Sequence, residues 1–231
     1  MEGRWLDHTS LTRAARRCAL AVACAVALVF VAPFAAATRA FADPAPAPDP
    51  AAATQLVEDL HDVMLDVMKE GKQLGYAGRL ARLGPAIASR YDFAFMAEKS
   101  VGLAWKDLDE AQRKQLVDAM ERLAGATYAN RMDDFGGERF ETLGTQAAAQ
   151  STMLVRTQIV EGDGKTTTLD YRVRALPDGT PRIVDVFFDG TVSELAMRRS
   201  EYSALLKKGG FPTLMEALEK KIAEQKQASA S

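Results

Sequence analysis

A chain of 231 residues, 48% of them hydrophobic, can bury one well-packed domain with segments to spare. Its formal net charge of −2 lacks the basic excess that a nucleic-acid binder sets against phosphates, so no nucleic-acid partner is expected. Both cysteines, Cys18 and Cys24, fall in the first 42 residues, and the rest of the chain holds a single histidine, His61. A His/Cys metal site and a cysteine nucleophile are thereby excluded from the main body of the protein.

Residues 1–42 read as a secretory leader. Arg13, Arg16 and Arg17 precede an apolar run from Cys18 to Ala37, and Ala40-Phe41-Ala42 places small residues at both cleavage positions, before Asp43. The run is longer than the ~7–15 residues of an ordinary signal core, so an uncleaved anchor is the alternative. Pro33 and the Ala-x-Ala ending favour cleavage. A lipoprotein reading through Cys24 is weaker, because Ala21-Val22-Ala23 makes a poor lipobox. Without its five Arg and two acids the remainder has 24 basic and 29 acidic residues, a net of −5, and folds by packing alone.

Asp43 to Ala53 is a Pro/Ala tether. From about Thr54 to Glu70, Leu56, Val57, Leu60, Met64, Val67 and Met68 recur at helical spacing, and Gly71 and Gly75 close this first helix. A second helix spans Tyr76 to about Ser89, with an interruption expected at Gly84-Pro85, and Asp92 caps a third through Val101. Asp109 with Gln112 forms a capping box for the longest helix, expected to reach about Phe135 before Gly136-Gly137. The period then changes. Arg139–Leu143, Thr152–Val160, Lys165–Arg174 and Pro181–Asp189 read as four strands of an antiparallel meander. Ser193 caps a helix through Lys208, Gly209-Gly210 stops it, and Pro212 opens a last one, with 228–231 as a disordered tail. The pattern predicts one α+β domain over 54–227, a helical layer packed on a twisted four-stranded antiparallel sheet.

In the third strand Leu169, Tyr171 and Val173 alternate with Asp170, Arg172 and Arg174; in the fourth, Val184, Val186 and Phe188 fall on one side and Ile183 and Phe187 flank Asp185 on the other. Asp170 and Asp185 could approach each other as an acid/base pair, or pair with Arg172, Arg174 or Arg182 on an exposed face, which is the commoner arrangement. His61, on the first helix, reads as a packed or solvated histidine. Gly164-Lys165-Thr166 lacks the earlier glycine of a phosphate loop, and no serine sits in a G-x-S-x-G elbow. Eight methionines follow the leader, a composition that suits either an ordinary core or a surface fitted to flexible chains.

The segment from Tyr91 to Met132 resembles the MlaC/toluene-tolerance auxiliary family of periplasmic lipid carriers. The resemblance rests on Phe93…Gly102…Trp105, Asp109 with Gln112-Arg113, and Thr127-Tyr128-Ala129. Asp170-Tyr171, Asp185-Val186 and Asp189-Gly190 followed by Val192-Ser193 extend it, so that it covers roughly Thr54 to Ile222. Thr191 interrupts the usual run of the family, and Gly190 to Tyr202 is more similar to the hopanoid-associated HpnM branch. The resemblance implies acyl chains buried between helices and sheet, with phospholipid or a hopanoid-type lipid as cargo. It further implies partners in an inner-membrane ABC transporter substrate-binding component and an outer-membrane lipoprotein complex, and no cofactor or metal.

On this reading Met96, Val101, Trp105, Met120, Leu123, Tyr128, Val155, Leu169, Tyr171, Val173, Val184, Val186 and Phe188 line a lipid pocket in a non-enzymatic shuttle. Two alternatives are a filled-core adaptor of a lipid-transport complex and an isomerase-like enzyme with Asp170 or Asp185 as base.

Overall fold

The structure, a computed structural model, describes residues 46–228. The expected leader with its cleavage site, and residues 229–231 of the expected tail, lie outside the described residues. Helix α1, Pro50–Lys69, starts four residues before the hydrophobic pattern suggests. Asp49 accepts a hydrogen bond from the Ala52 amide (2.9 Å), Pro50 opens the helix, and Ala53 is fully buried, so 50–53 belong to the fold and not to the tether.

Helix α2, Gly71–Ala88, breaks at Gly75, whose φ of 60° and ψ of 177° are non-helical. The interruption expected at Gly84-Pro85 does not occur. Pro85 sits in the last turn, where one backbone bond is lost, and Gly84 serves packing: a Cβ on Gly125 would lie 3.4 Å from its Cα. Two glycines thus let α2 and α4 approach closely. Buried Arg79 fastens the same pair, its Nε donating to the Ala129 carbonyl (2.6 Å) and Nη1 to that of Gly71 (2.7 Å).

Helix α3, Phe93–Val101, is capped by Asp92 and runs into a 3-10 turn over Gly102–Asp107. Helix α4, Glu110–Arg131, carries the reciprocal capping box, Gln112 N–H to Asp109 Oδ1 at 2.8 Å and Asp109 N–H to Gln112 Oε1 at 3.0 Å. It stops at Arg131, short of Phe135, which is 38% exposed and packs too little to hold another turn.

The sheet has five strands where four were expected: β1 Arg139–Ala148, β2 Thr152–Val160, β3 Thr166–Ala175, β4 Pro181–Phe188 and the two-residue β5 Val192–Ser193. They form an antiparallel meander in chain order. β5 is too short to show a period of two; it exists because the chain folds back onto Phe187 and Phe188. β1 runs past the expected Leu143, carried on by a register shift between Thr142 and Gly144. Helix α5, Glu194–Ala228, changes direction at Gly209-Gly210 as expected. Helix α1 lies over β1, β2 and β4, while α3 and α5 pack against β4. Helices α2 and α4 pack on each other, and they meet α1 and α5 respectively.

Candidate functional site

Register decides what the sheet shows to the helices. Val155 pairs with Tyr171 and Met153 with Val173, while Tyr171 pairs with Val186 and Leu169 with Phe188. Directly opposed residues point to the same side, so Val155, Leu169, Tyr171, Val173, Val186 and Phe188 share one face. The face turns toward the helices, because His61 of α1 reaches Tyr171 on it: Nε2 and the phenol oxygen stand 3.1 Å apart. The other face carries Arg156, Asp170, Arg172, Asp185 and Phe187.

One expectation on β4 is overturned here. A register shift between Arg172 and Val173 puts Ile183 opposite Val173 and Asp185 opposite Arg172, leaving Val184 as the extra residue. Ile183 therefore lies on the apolar face with Val186 and Phe188, and Val184 does not continue their row. Both are buried, so composition could not reveal the exchange.

Of the remaining residues expected at the pocket, Met96 and Val101 are buried on α3, and Met120 and Leu123 on α4. Met120 faces α3, where the Ser100 hydroxyl donates to its sulfur at 3.8 Å. Tyr128, also on α4, is half-buried and shares a 2.9 Å hydrogen bond with the Tyr91 hydroxyl. Trp105 stands apart in the 3-10 turn, half-buried under the Arg113 guanidinium 5.3 Å from its ring.

His61 is packed. Its ring stacks on Phe140 (centroids 4.0 Å apart) and meets Tyr171 edge-on, and burial lowers its pKa to about 3, so the imidazole is neutral near pH 7. It also borders a cleft of about 290 Å³ between α1 and β1, with Glu58, Asp62, Phe140 and Thr142 among its walls. None of the thirteen expected pocket residues lines that cleft.

The two aspartates weighed as bases are both buried but do not form a pair. Asp185 accepts from the Val186 and Leu195 amides (2.9 Å each) and from the Ser193 hydroxyl (2.6 Å). Burial pushes its pKa up and those bonds pull it back part of the way. Asp170 has an Oδ1 with no hydrogen-bond partner, and burial raises its pKa too. Neither is in an ion pair with Arg172, Arg174 or Arg182 among the described residues; Arg174 pairs with Asp92 instead (3.3 Å).

Sequence reasoning passed over a polar cluster between α4, α5 and β3. Tyr91, Tyr171 and Tyr202 are buried, and Arg198 donates to Glu194 (Nε–Oε1 3.0 Å) and to the Tyr202 hydroxyl (3.1 Å). Burial opposes the Arg198 charge, but Glu194 and Tyr202 outweigh it and the pKa rises. The phenols of Tyr91 and Tyr171 are raised well above the usual range and that of Tyr128 to about 12, chiefly by burial, so all stay protonated at neutral pH. No short motif links these positions. Only the unusual Tyr-with-charge content of the Glu194–Tyr202 stretch hints at it.

Fold and interior together define an α+β domain with one apolar sheet face roofed by helices and a polar cluster set into that roof. The chain belongs to the MlaC family, matching the MlaC protein over residues 58–220. Among solved structures it is similar to the phospholipid-binding protein from Ralstonia solanacearum, determined in complex with a phospholipid. The two are 21% identical, with a TM-score of 0.66 over 75% of this chain and 98% of that one, which establishes a shared fold. No curated protein matches the sequence.

Proposed function

We propose that the protein is a periplasmic lipid-binding shuttle that carries phospholipid or a hopanoid-type lipid between inner and outer membranes. It would work with an inner-membrane ABC transport system and an outer-membrane lipoprotein complex. The observation that carries the reading is the six-residue apolar floor of Val155, Leu169, Tyr171, Val173, Val186 and Phe188 under a helical roof. Phe188, at the end of that row, and Tyr128 on α4 keep accessible surface, which supports an opening to the floor at that end.

The energetics suit a carrier. Each buried methylene is worth about 0.8 kcal/mol, so two acyl chains gross more than ~20 kcal/mol against water, near the ceiling of non-covalent affinity. Against a bilayer the same methylenes are already buried and the difference nearly vanishes. Loading and release then depend on docking to membrane partners, which shifts the population of an open state.

Organic extraction of the purified protein followed by mass spectrometry tests this: a carrier yields stoichiometric lipid. Val186→Glu places a charge in the floor and should abolish that lipid; an unchanged content removes Val186 from the site. A filled-core adaptor is favoured by the near-complete burial of Met96, Met120, Val155, Val173 and Val186, and it yields no lipid on extraction. For an isomerase-like enzyme Asp185 is a poor base, since its carboxylate already accepts three hydrogen bonds.

A further inference from the structure

The sheet face opposite the apolar floor carries cations that the fold leaves unmatched. The Arg172 guanidinium lies over the Phe187 ring, 5.1 Å from its centroid, and its buried Nε has no hydrogen-bond partner. Its side chain makes no ion pair among the described residues. The acids near it are engaged elsewhere. Asp185, directly opposite, spends its carboxylate on the Val186 and Leu195 amides and the Ser193 hydroxyl. Glu141 accepts from Arg139 and Gln158. Arg156, exposed on β2, is the diagonal neighbour of Arg172; it tempers the rise in the pKa of Asp170 but forms no ion pair with it. Arg174, next on the same face, is by contrast neutralised by Asp92 at 3.3 Å.

Two guanidinium groups at diagonal positions on neighbouring strands repel each other, and Arg172 is held against an aromatic ring with its forked N–H groups unspent. A carboxylate set between them relieves the repulsion and accepts from both. Leu154, opposite Arg172, and Phe187 are half-buried, so the cations border an apolar strip, and arginine beside an aromatic ring is the composition of a protein-interface hot spot. A bilayer surface fits less well, because adsorption draws on clusters of roughly four to eight cations, and this face also bears Glu141 and Asp170.

We propose that the outer sheet face is a protein-docking surface, on which Arg156 and Arg172 clamp carboxylates of an acidic segment of a partner protein. Leu154 and Phe187 form the apolar ground beneath that segment. The surface lies on the far side of the sheet from the interior, so the inference holds whatever the interior carries.

The test titrates the purified full chain with a hexaglutamate peptide at low ionic strength, reading affinity by calorimetry and the arginine Nε–H resonances by NMR. Wild type is expected to bind, with the Arg172 resonance shifting. Arg156→Gln/Arg172→Gln should weaken binding about tenfold. Lys72→Gln/Lys114→Gln, which removes the same charge from α2 and α4, should leave it within about twofold. Arg172→Lys keeps the charge and loses the fork, and should cost about threefold. If the double arginine variant melts early, Arg156→Gln alone, at an exposed position, carries the test with the same threefold loss. A wild type that does not bind, or an equal loss in the arginine and lysine variants, overturns the docking face. So do phosphatidylglycerol vesicles that need the two arginines when the peptide does not, since the face then meets a membrane. An arginine-dependent dimer in sedimentation of the protein alone also overturns it, by placing a second copy there.

Discussion

Asp170 and Asp185 occupy the same face of the same sheet, on neighbouring strands, with nearly equal burial, and the fold treats them differently. Asp185 sits where β4 meets the β5–α5 junction and gathers the Val186 and Leu195 amides and the Ser193 hydroxyl around one carboxylate. Ser193 in turn accepts from the Ala196 amide, so one acid organises the start of α5 (2.9 Å). Asp170, opposite Phe187 and Arg156, has an Oδ1 with nothing to accept from. A buried carboxylate thus stabilises only as far as the backbone donors that reach it allow; its burial alone costs free energy.

The strongest way to break the comparison is Asp185→Ala. One buried and two part-buried donors would lose their acceptor, so a loss of roughly 3 kcal/mol is expected, with the thermal midpoint falling by about 6–12 °C. Asp185→Asn keeps an acceptor for the two amides and should recover most of that loss in the same melting experiment. Equal melting of all three proteins would show that the junction does not depend on Asp185.

A pH series sharpens it with the opposite sign, through His61 on the other face of β3. Its folded pKa, about 3, lies below the ordinary 6.5, so the unfolded chain binds the extra proton first. Stability is therefore full above pH 6.5 and lost as pH falls toward 3, by about 2 kcal/mol at pH 5. Both aspartates run the other way: their raised pKa values mean that stability declines as pH rises from the ordinary carboxylate value through the folded one. Denaturant titrations of wild type and His61→Phe between pH 7 and 5 separate the contributions, since the variant should lack the loss on acidification. The smallest expected effect is Asp170→Asn, which removes a buried charge without removing a used acceptor. At pH 7 it should be neutral or stabilising by up to about 1 kcal/mol, and a clear destabilisation would mean that Oδ1 has a function.

Much of the fold was legible because its signals are local. The Asp109–Gln112 box, the Asp92 cap and the Gly209-Gly210 break each act within a few residues, and the structure has all three. The Gly84-Pro85 expectation failed for a non-local reason, since Gly84 answers to Gly125 on another helix. The apolar row of β3 was read correctly from its alternation. On β4 the alternation was read correctly from Asp185 to Phe188, and only Ile183 and Val184 were exchanged, because the extra residue at Val184 reverses the faces before it and leaves no mark on hydrophobicity.

By itself, then, the order of residues determined the elements, the caps, the absence of cysteine and the single histidine after residue 42, and the resemblance to a lipid-carrier family. Tertiary structure alone decided that Ile183 turns inward, that Asp185 is satisfied while Asp170 Oδ1 is not, that Tyr91 bonds Tyr128, and that Arg198 bonds Glu194 and Tyr202. Caps and periods are set by bonds between near neighbours in the chain. Which donor meets which acceptor across a sheet depends on pairings between segments tens of residues apart, and no local pattern encodes them.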